Sequence, residues 1–142
     1  MQPIPPPAMN PTLGVARPRA IRRVIILDLA RASSGMSIEE LRAAGWEVEL
    51  CPGVGWLLEA AVRHQPAAVV FSASALAPED IAVLRLLKRA APSVALIVVG
   101  PPDSLEFRRQ LQEVSPSYYA VAPTDPGEIH DALCSVLRVR SS

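Results

Sequence analysis

The sequence predicts a doubly wound α/β domain: a five-stranded parallel sheet in the order 2-1-3-4-5, with helices on both faces. Three observations carry this. Apolar runs alternate with amphipathic stretches five times along the chain, the pattern of repeated strand–helix units. Four of the runs are apolar on both faces, as strands covered from both sides must be, and one alternates with charge, as an edge strand does. Right-handed crossovers between parallel strands then divide the helices between the two faces. The size agrees: 142 residues, 50% hydrophobic and 20% charged, suit one globular domain with a sizeable core.

Taken in order, residues 1–20 stand apart as a tail and residues 21–142 form the domain. Six of the fifteen prolines lie between Pro3 and Pro18, without apolar periodicity. Pro5-Pro6-Pro7 favours polyproline II, which either remains a solvated leader or docks in a groove lined with aromatics. Arg17, Arg19, Arg22 and Arg23 form a small basic cluster where the tail meets the domain. Val24–Leu27, closed by Asp28, reads as a central strand. Ser37–Ala44 reads as a helix, with Ser37 and Glu40 at capping-box spacing and Gly45 as its stop. Helical residues from Arg31 onward are compatible with the pattern, and Ser33-Ser34-Gly35 reads as a loose loop.

Glu47-Val48-Glu49-Leu50 is the alternating edge strand. Pro52-Gly53 turns the chain, and Trp56, Leu57, Ala60, Ala61 and His64 recur at helical spacing. Gly53-Val54-Gly55 lacks the third glycine of a phosphate-binding loop and reads as a turn. Ala67–Phe71 is a buried strand ending at Ser72. Pro78–Ala91 is a helix with Glu79 and Asp80 in its first turn, where the dipole favours them. Val94–Val99 is the most apolar strand, and Gly100-Pro101-Pro102 breaks it. Leu105, Phe107, Leu111 and Val114 mark an amphipathic helix. Tyr118–Val121 is a fifth strand. Thr124-Asp125-Pro126 caps a last helix whose Ile129, Leu133, Val136 and Leu137 face inward.

Fourteen basic residues balance fourteen acidic ones, a poor match for duplex DNA or an anionic membrane. The uncharged stretches are too short to span a bilayer, and MQPIPPPAMN lacks the pattern of a secretory signal. Cys51 and Cys134 belong to no CxxC or Cys/His cluster, so they read as buried free thiols in a reducing cytoplasm rather than metal ligands. His64 and His130 are isolated in the sequence, and Trp46 and Trp56 read as core or rim aromatics.

The register of several residues resembles the receiver domain of bacterial response regulators, the CheY-like family of flavodoxin-like folds. The likeness covers about Arg22 to Arg140. Asp28 ends the first strand, and Gly45-Trp46-Glu47-Val48 follows at the family's Gly-aromatic-x-Val spacing. Pro66-Ala67-Ala68-Val69-Val70-Phe71 resembles the run before the family's phosphoacceptor. Tyr119-Ala120-Val121-Ala122-Pro123-Thr124-Asp125-Pro126 resembles its closing aromatic-x-x-Lys-Pro-Phe-x-Pro.

The departures from that pattern bear on chemistry. The resemblance implies a phosphoryl-transfer site with paired acids for Mg²⁺, an aspartate nucleophile, a hydroxyl sensor and a lysine. Asp28 matches the first acid, but Leu29 replaces its partner. Ser72 stands for the nucleophile, Gly100 for the sensor and Ala122 for the lysine. A serine hydroxyl forms no acyl phosphate and needs an activating base. One carboxylate holds Mg²⁺ poorly, and nothing else would neutralise a transferring phosphoryl group. Glu79 or Asp103 could reach in from loops, though helix-start carboxylates usually stay on the surface. Gly100 leaves the switch aromatic, Tyr119, no moving partner.

The chain is therefore expected to be no enzyme and to hold neither metal nor cofactor. It reads as a degenerate receiver acting through phosphorylation-independent protein–protein contact or homodimerisation in signalling or gene regulation. The resemblance places that contact on the fourth helix, fifth strand and fifth helix, with Arg108, Arg109, Tyr119, Asp131 and Arg138 as contact residues. The alternative is a small-ligand sensor using a crevice emptied at Ser72, Gly100 and Ala122.

Overall fold

The computed structural model describes residues 22–30, 34–125 and 127–141, with side chains as far as residue 137. Five strands alternate with five helices: β1 (Arg23–Asp28), α1 (Ile38–Ala43), β2 (Glu47–Leu50), α2 (Val54–His64), β3 (Ala68–Ser72), α3 (Pro78–Ala90), β4 (Ala95–Gly100), α4 (Leu105–Leu111), β5 (Tyr118–Val121) and α5 (Glu128–Ser141). The strands form one sheet in the order β2-β1-β3-β4-β5, and every pairing is parallel. That is the expected 2-1-3-4-5 order. Residues 1–20, with Arg17 and Arg19, and residues 31–33 lie outside the described residues, as does the side chain of Arg138.

Alternation along the strands sorts their side chains into two cores. Ile25, Leu27, Val69, Phe71, Leu96 and Val98 pack with Leu57, Leu84, Leu87, Phe107 and Leu111 from α2, α3 and α4. Val24, Ile26, Ala68, Val70, Ile97 and Val99 pack with Leu41, Ile129 and Leu133 from α1 and α5. Full burial of β3 and β4 explains why their sequences are unbroken apolar runs.

Local chemistry sets the helix ends. Ser37 Oγ accepts the Glu40 amide at 3.2 Å and starts α1. Ser104 Oγ accepts the Phe107 amide at 3.1 Å and starts α4. At α3 the buried Asp80 carboxylate accepts the Ala77 amide at 2.9 Å, satisfying a donor that the first turn leaves orphaned.

Several expectations need correcting. Thr124 does not cap α5: it is buried, and its Oγ1 donates to the Ser34 carbonyl at 3.2 Å. Asp125 holds the cap position as expected, its carbonyl accepting the Glu128 amide at 3.0 Å and its amide donating to Glu128 Oε1 at 3.4 Å; Pro126 lies outside the described residues. Ser34 is no part of a loose loop but is buried, because its hydroxyl and carbonyl both bind into the structure. Leu50 of the alternating strand and Leu105 of the amphipathic helix are 57% and 72% exposed, since each stands at an element end beyond the reach of its facing layer. Trp46 is core, whereas Trp56 is 61% exposed, because Leu57 and Ala61 alone turn the buried stripe of α2 inward. Both cysteines are free, as expected, but half-buried rather than buried.

Candidate functional site

In an open parallel sheet the crevice beyond the carboxyl ends of the strands is where ligands bind. Strand register brings the sequence-selected residues to that edge. Asp28 of β1 stands beside Ser72 of β3, Ser72 beside Val99 of β4, and Gly100 beside Val121 of β5. Ala122 follows directly, with its amide donating to the Gly100 carbonyl at 2.8 Å, and the Ala122–Pro123 peptide is cis. Ser72 also ties the edge together through its backbone: its carbonyl accepts the Leu29 amide at 2.7 Å and the Ala30 amide at 3.3 Å.

The side chains at this edge are not arranged for phosphoryl transfer. The Ser72 side chain is 0% exposed, and its Oγ is buried without a hydrogen-bond partner. A nucleophile needs both a base and an open approach; this hydroxyl has neither. Asp28 is half-buried, and its Oδ2 accepts the Ser34 hydroxyl at 3.2 Å. Beside it Leu29 presents exposed hydrocarbon. Glu79 and Asp103 are exposed. Magnesium takes hard oxygen ligands in a near-ideal octahedron, and Asp28 is the one carboxylate among the strand-end residues. Among the described residues no group of three or more His, Cys, Asp or Glu side chains converges. These residues do not fit a magnesium ion.

Gly100 shows what replaced the sensor hydroxyl. A Cβ on Gly100 would lie 2.6 Å from the Tyr119 hydroxyl and 2.6 Å from Phe107 Cε1. The space a side chain would need is already filled. Tyr119 leans over the glycine, its ring 6.2 Å from that of Phe107 and 5.9 Å from the Arg108 guanidinium. Its hydroxyl is buried without a partner. The small residues therefore do not leave the open crevice expected of a ligand sensor, because the neighbouring aromatics close over Gly100. Sequence reasoning did not foresee Phe107 in this role; its only signal there was helical periodicity.

Two further arrangements were also missed. Ser34 joins the carboxyl edge to the segment between β5 and α5: its hydroxyl donates to Asp28, and its carbonyl accepts the Thr124 amide at 2.8 Å. Gly35 is held at φ +77°, where an added Cβ would meet the Thr124 backbone at 2.7 Å. The two histidines are not isolated. His64 Nδ1 lies 2.7 Å from Glu49 Oε1, and His130 Nε2 lies 3.6 Å from Cys134 Sγ, one helical turn on.

Of the expected contact residues, Arg108, Arg109 and Asp131 are exposed, and Arg109 lies 3.8 Å from Glu106. Tyr119 is half-buried, with its hydroxyl turned inward. Nearby, Leu105, Tyr118 and Val121 are exposed apolar or aromatic side chains. Tyr118 donates to Glu128 Oε2 at 3.0 Å, which ties β5 to α5 and raises the phenol's pKa above its ordinary value. Among the described residues no helix is long and apolar enough to cross a membrane.

No family model matches the chain, and no curated protein matches it in sequence. Solved structures do match in shape. A CheY-like response regulator receiver domain protein from Methanospirillum hungatei superposes with TM-score 0.72 at 20% identity, over 85% of this chain and 97% of that one. The signal receiver domain of a modulated diguanylate cyclase from Desulfovibrio desulfuricans gives 0.71 at 13% identity over the same shares. The chemotaxis protein CheY4 of Vibrio cholerae gives 0.67 at 17% identity, over 82% of this chain and 99% of that one. At such identities the likeness speaks for architecture, and the architecture of this chain is that of the response regulator receiver domains.

Proposed function

We propose that this chain is a receiver-type signalling module that has lost phosphorylation and works through protein–protein contact, in the first place with a second copy of itself. The structural neighbours named as signal receivers and response regulators support the signalling context. The single observation that carries the loss of chemistry is Ser72. A fully buried, unpartnered hydroxyl occupies the end of the central strand, where the resemblance calls for an exposed carboxylate. Tyr119 and Phe107 over Gly100 support the same reading, because a switch aromatic already packed inward has no phosphoryl-driven position left to adopt.

What remains for function is surface. The face formed by α4, β5 and α5 combines apolar Leu105 and Val121 with Arg108, Arg109 and Asp131. Apolar side chains rimmed by charges of both signs suit a self-complementary contact. The full chain is incubated with acetyl phosphate and Mg²⁺, then divided between intact mass and sedimentation velocity across a concentration series. The expected result is no phosphoryl adduct, a dimer whose extent is unchanged by the treatment, and loss of that dimer in Val121→Glu. An aspartyl adduct overturns the loss of phosphorylation. A monomer at every concentration overturns self-association.

A further inference from the structure

A second surface lies on the opposite edge of the sheet. Between β2 and α2 runs a groove of about 390 Å³ whose apolar lining is Leu50, Cys51, Pro52, Trp56 and Ala60. Trp56 is the most exposed aromatic side chain described, and Leu50 beside it is more than half exposed. Large indole surface left in water is unusual without a partner. The rim is acidic: Glu49 and Glu59 border the groove with a single cation, Arg63. Glu49 Oε1 faces His64 at 2.7 Å, and Glu59 Oε2 faces Arg63 at 2.6 Å.

We propose that this groove is the docking site for the chain's own proline-rich segment, residues 3–19. Three arguments converge on that occupant. The first is chemistry: an exposed tryptophan flanked by carboxylates suits a proline-rich segment, whose rings stack on the indole and whose extended backbone is ordered at low entropic cost. Pro3, Pro5, Pro6 and Pro7 supply the rings. The second is charge. Residues 1–20 contain no acidic side chain and carry Arg17 and Arg19, complementary to Glu49, the rim carboxylate that Arg63 does not already hold. A two-fold contact with a second copy would instead return that rim to itself.

The third argument is reach. The Arg22 carbonyl accepts the Glu47 amide at the start of β2. Glu49 lies two residues further along that strand, about 7 Å at the rise of a β-strand. Fourteen residues lie between Pro7 and Arg22, and a stretch of that length reaches up to about 50 Å when fully extended, ample for the groove. Tethering within reach raises the effective concentration of the segment at the groove without demanding high intrinsic affinity.

Trp56 reports on the occupant directly, because Trp46, the other tryptophan, is 3% exposed and hidden from a soluble quencher. Acrylamide quenching is measured on the full chain and on a full-length variant with Pro5→Ser, Pro6→Ser and Pro7→Ser, whose changes leave every described element untouched. The expected result is severalfold weaker quenching in the parent chain. A synthetic peptide of residues 1–20, titrated into the variant, restores protection and saturates. Equal quenching in both chains, at the level of a freely exposed indole, overturns the proposal. Protection that survives the three substitutions and grows with protein concentration assigns the groove to a second copy and also overturns it. Neither outcome bears on the α4–β5–α5 face.

Discussion

Two residues at the carboxyl edge carry opposite energetic signs. The Ser72 hydroxyl was desolvated on folding and received no partner in return, a cost of about 1–3 kcal/mol for such a group. Ser72→Ala keeps the backbone bonds to Leu29 and Ala30 and removes the orphaned oxygen, so it stabilises the fold by about 1 kcal/mol. Gly100 is the reverse case. Its added Cβ would fall 2.6 Å from both the Tyr119 hydroxyl and Phe107, and overpacking of this kind costs about 1–3 kcal/mol. Gly100→Ala therefore destabilises, and the cheapest relief is outward rotation of Tyr119, since Phe107 is locked in the core. Urea denaturation of the two variants beside the parent chain checks both signs. A destabilised Ser72→Ala would mean that the hydroxyl has a partner, and with it a role, that packing does not reveal.

At the scale of elements, β5 is held to its neighbours by unlike contacts on its two sides. Tyr119 packs on α4, whereas Tyr118 reaches α5 through the Glu128 carboxylate. The hydrogen bond donated to that carboxylate is the main cause of the raised Tyr118 pKa, followed by burial and the charges of Glu128 and Asp131. A phenol whose pKa is higher in the folded state adds stability that is fully present below its unfolded value, about 10, and lost as pH rises through the folded one. Ultraviolet titration of phenolate is expected to show Tyr118 ionising later than a free tyrosine. In Tyr118→Phe one late-ionising phenol is lost, and the link between β5 and α5 loosens only at alkaline pH in the parent chain. A parent titration with no late component would remove the Glu128 contact from solution. The same strand shows where sequence reading stops. Its range was legible from the apolar run, but that run reads as a strand covered on both faces, whereas Tyr118 and Val121 are exposed because β5 closes the sheet with a single strand neighbour. The division of labour between adjacent tyrosines was not, because it depends on Glu128 and Phe107, which only the fold brings near.

The whole molecule shows the same boundary between what pattern specifies and what packing decides. Strand order was legible because each strand's burial is written in its own residues: unbroken apolar runs for β1, β3 and β4, and alternation for β2. Asp28, Ser72 and Gly100 were legible as carboxyl-edge positions because they end strands. Trp56 outside the core, Ser34 within it and the aromatics over Gly100 were not, since each depends on what a distant segment leaves open or covers. This hierarchy implies a matching order of local stability. β1, β3 and β4 are flanked by strands on both sides and covered by helices on both faces. β2 and β5 each have one strand neighbour and only four residues, and α1 has six, too short to persist without its packing. Buried hydrogen bonds open only with the global transition, whereas edges and short helices open through smaller excursions. Native-state hydrogen exchange is thus expected to find the amides of Ile25–Leu27, Val69–Phe71 and Leu96–Val98 exchanging last, at one common free energy. Those of β2, α1 and β5 exchange earlier. The carboxyl edge, with Ser72 and Val99 anchoring it to the slowest strands, should behave as part of the rigid core. Fast exchange at Ser72 and Ala73 would instead reveal an edge that opens, and would return the buried serine to consideration as a reactive group.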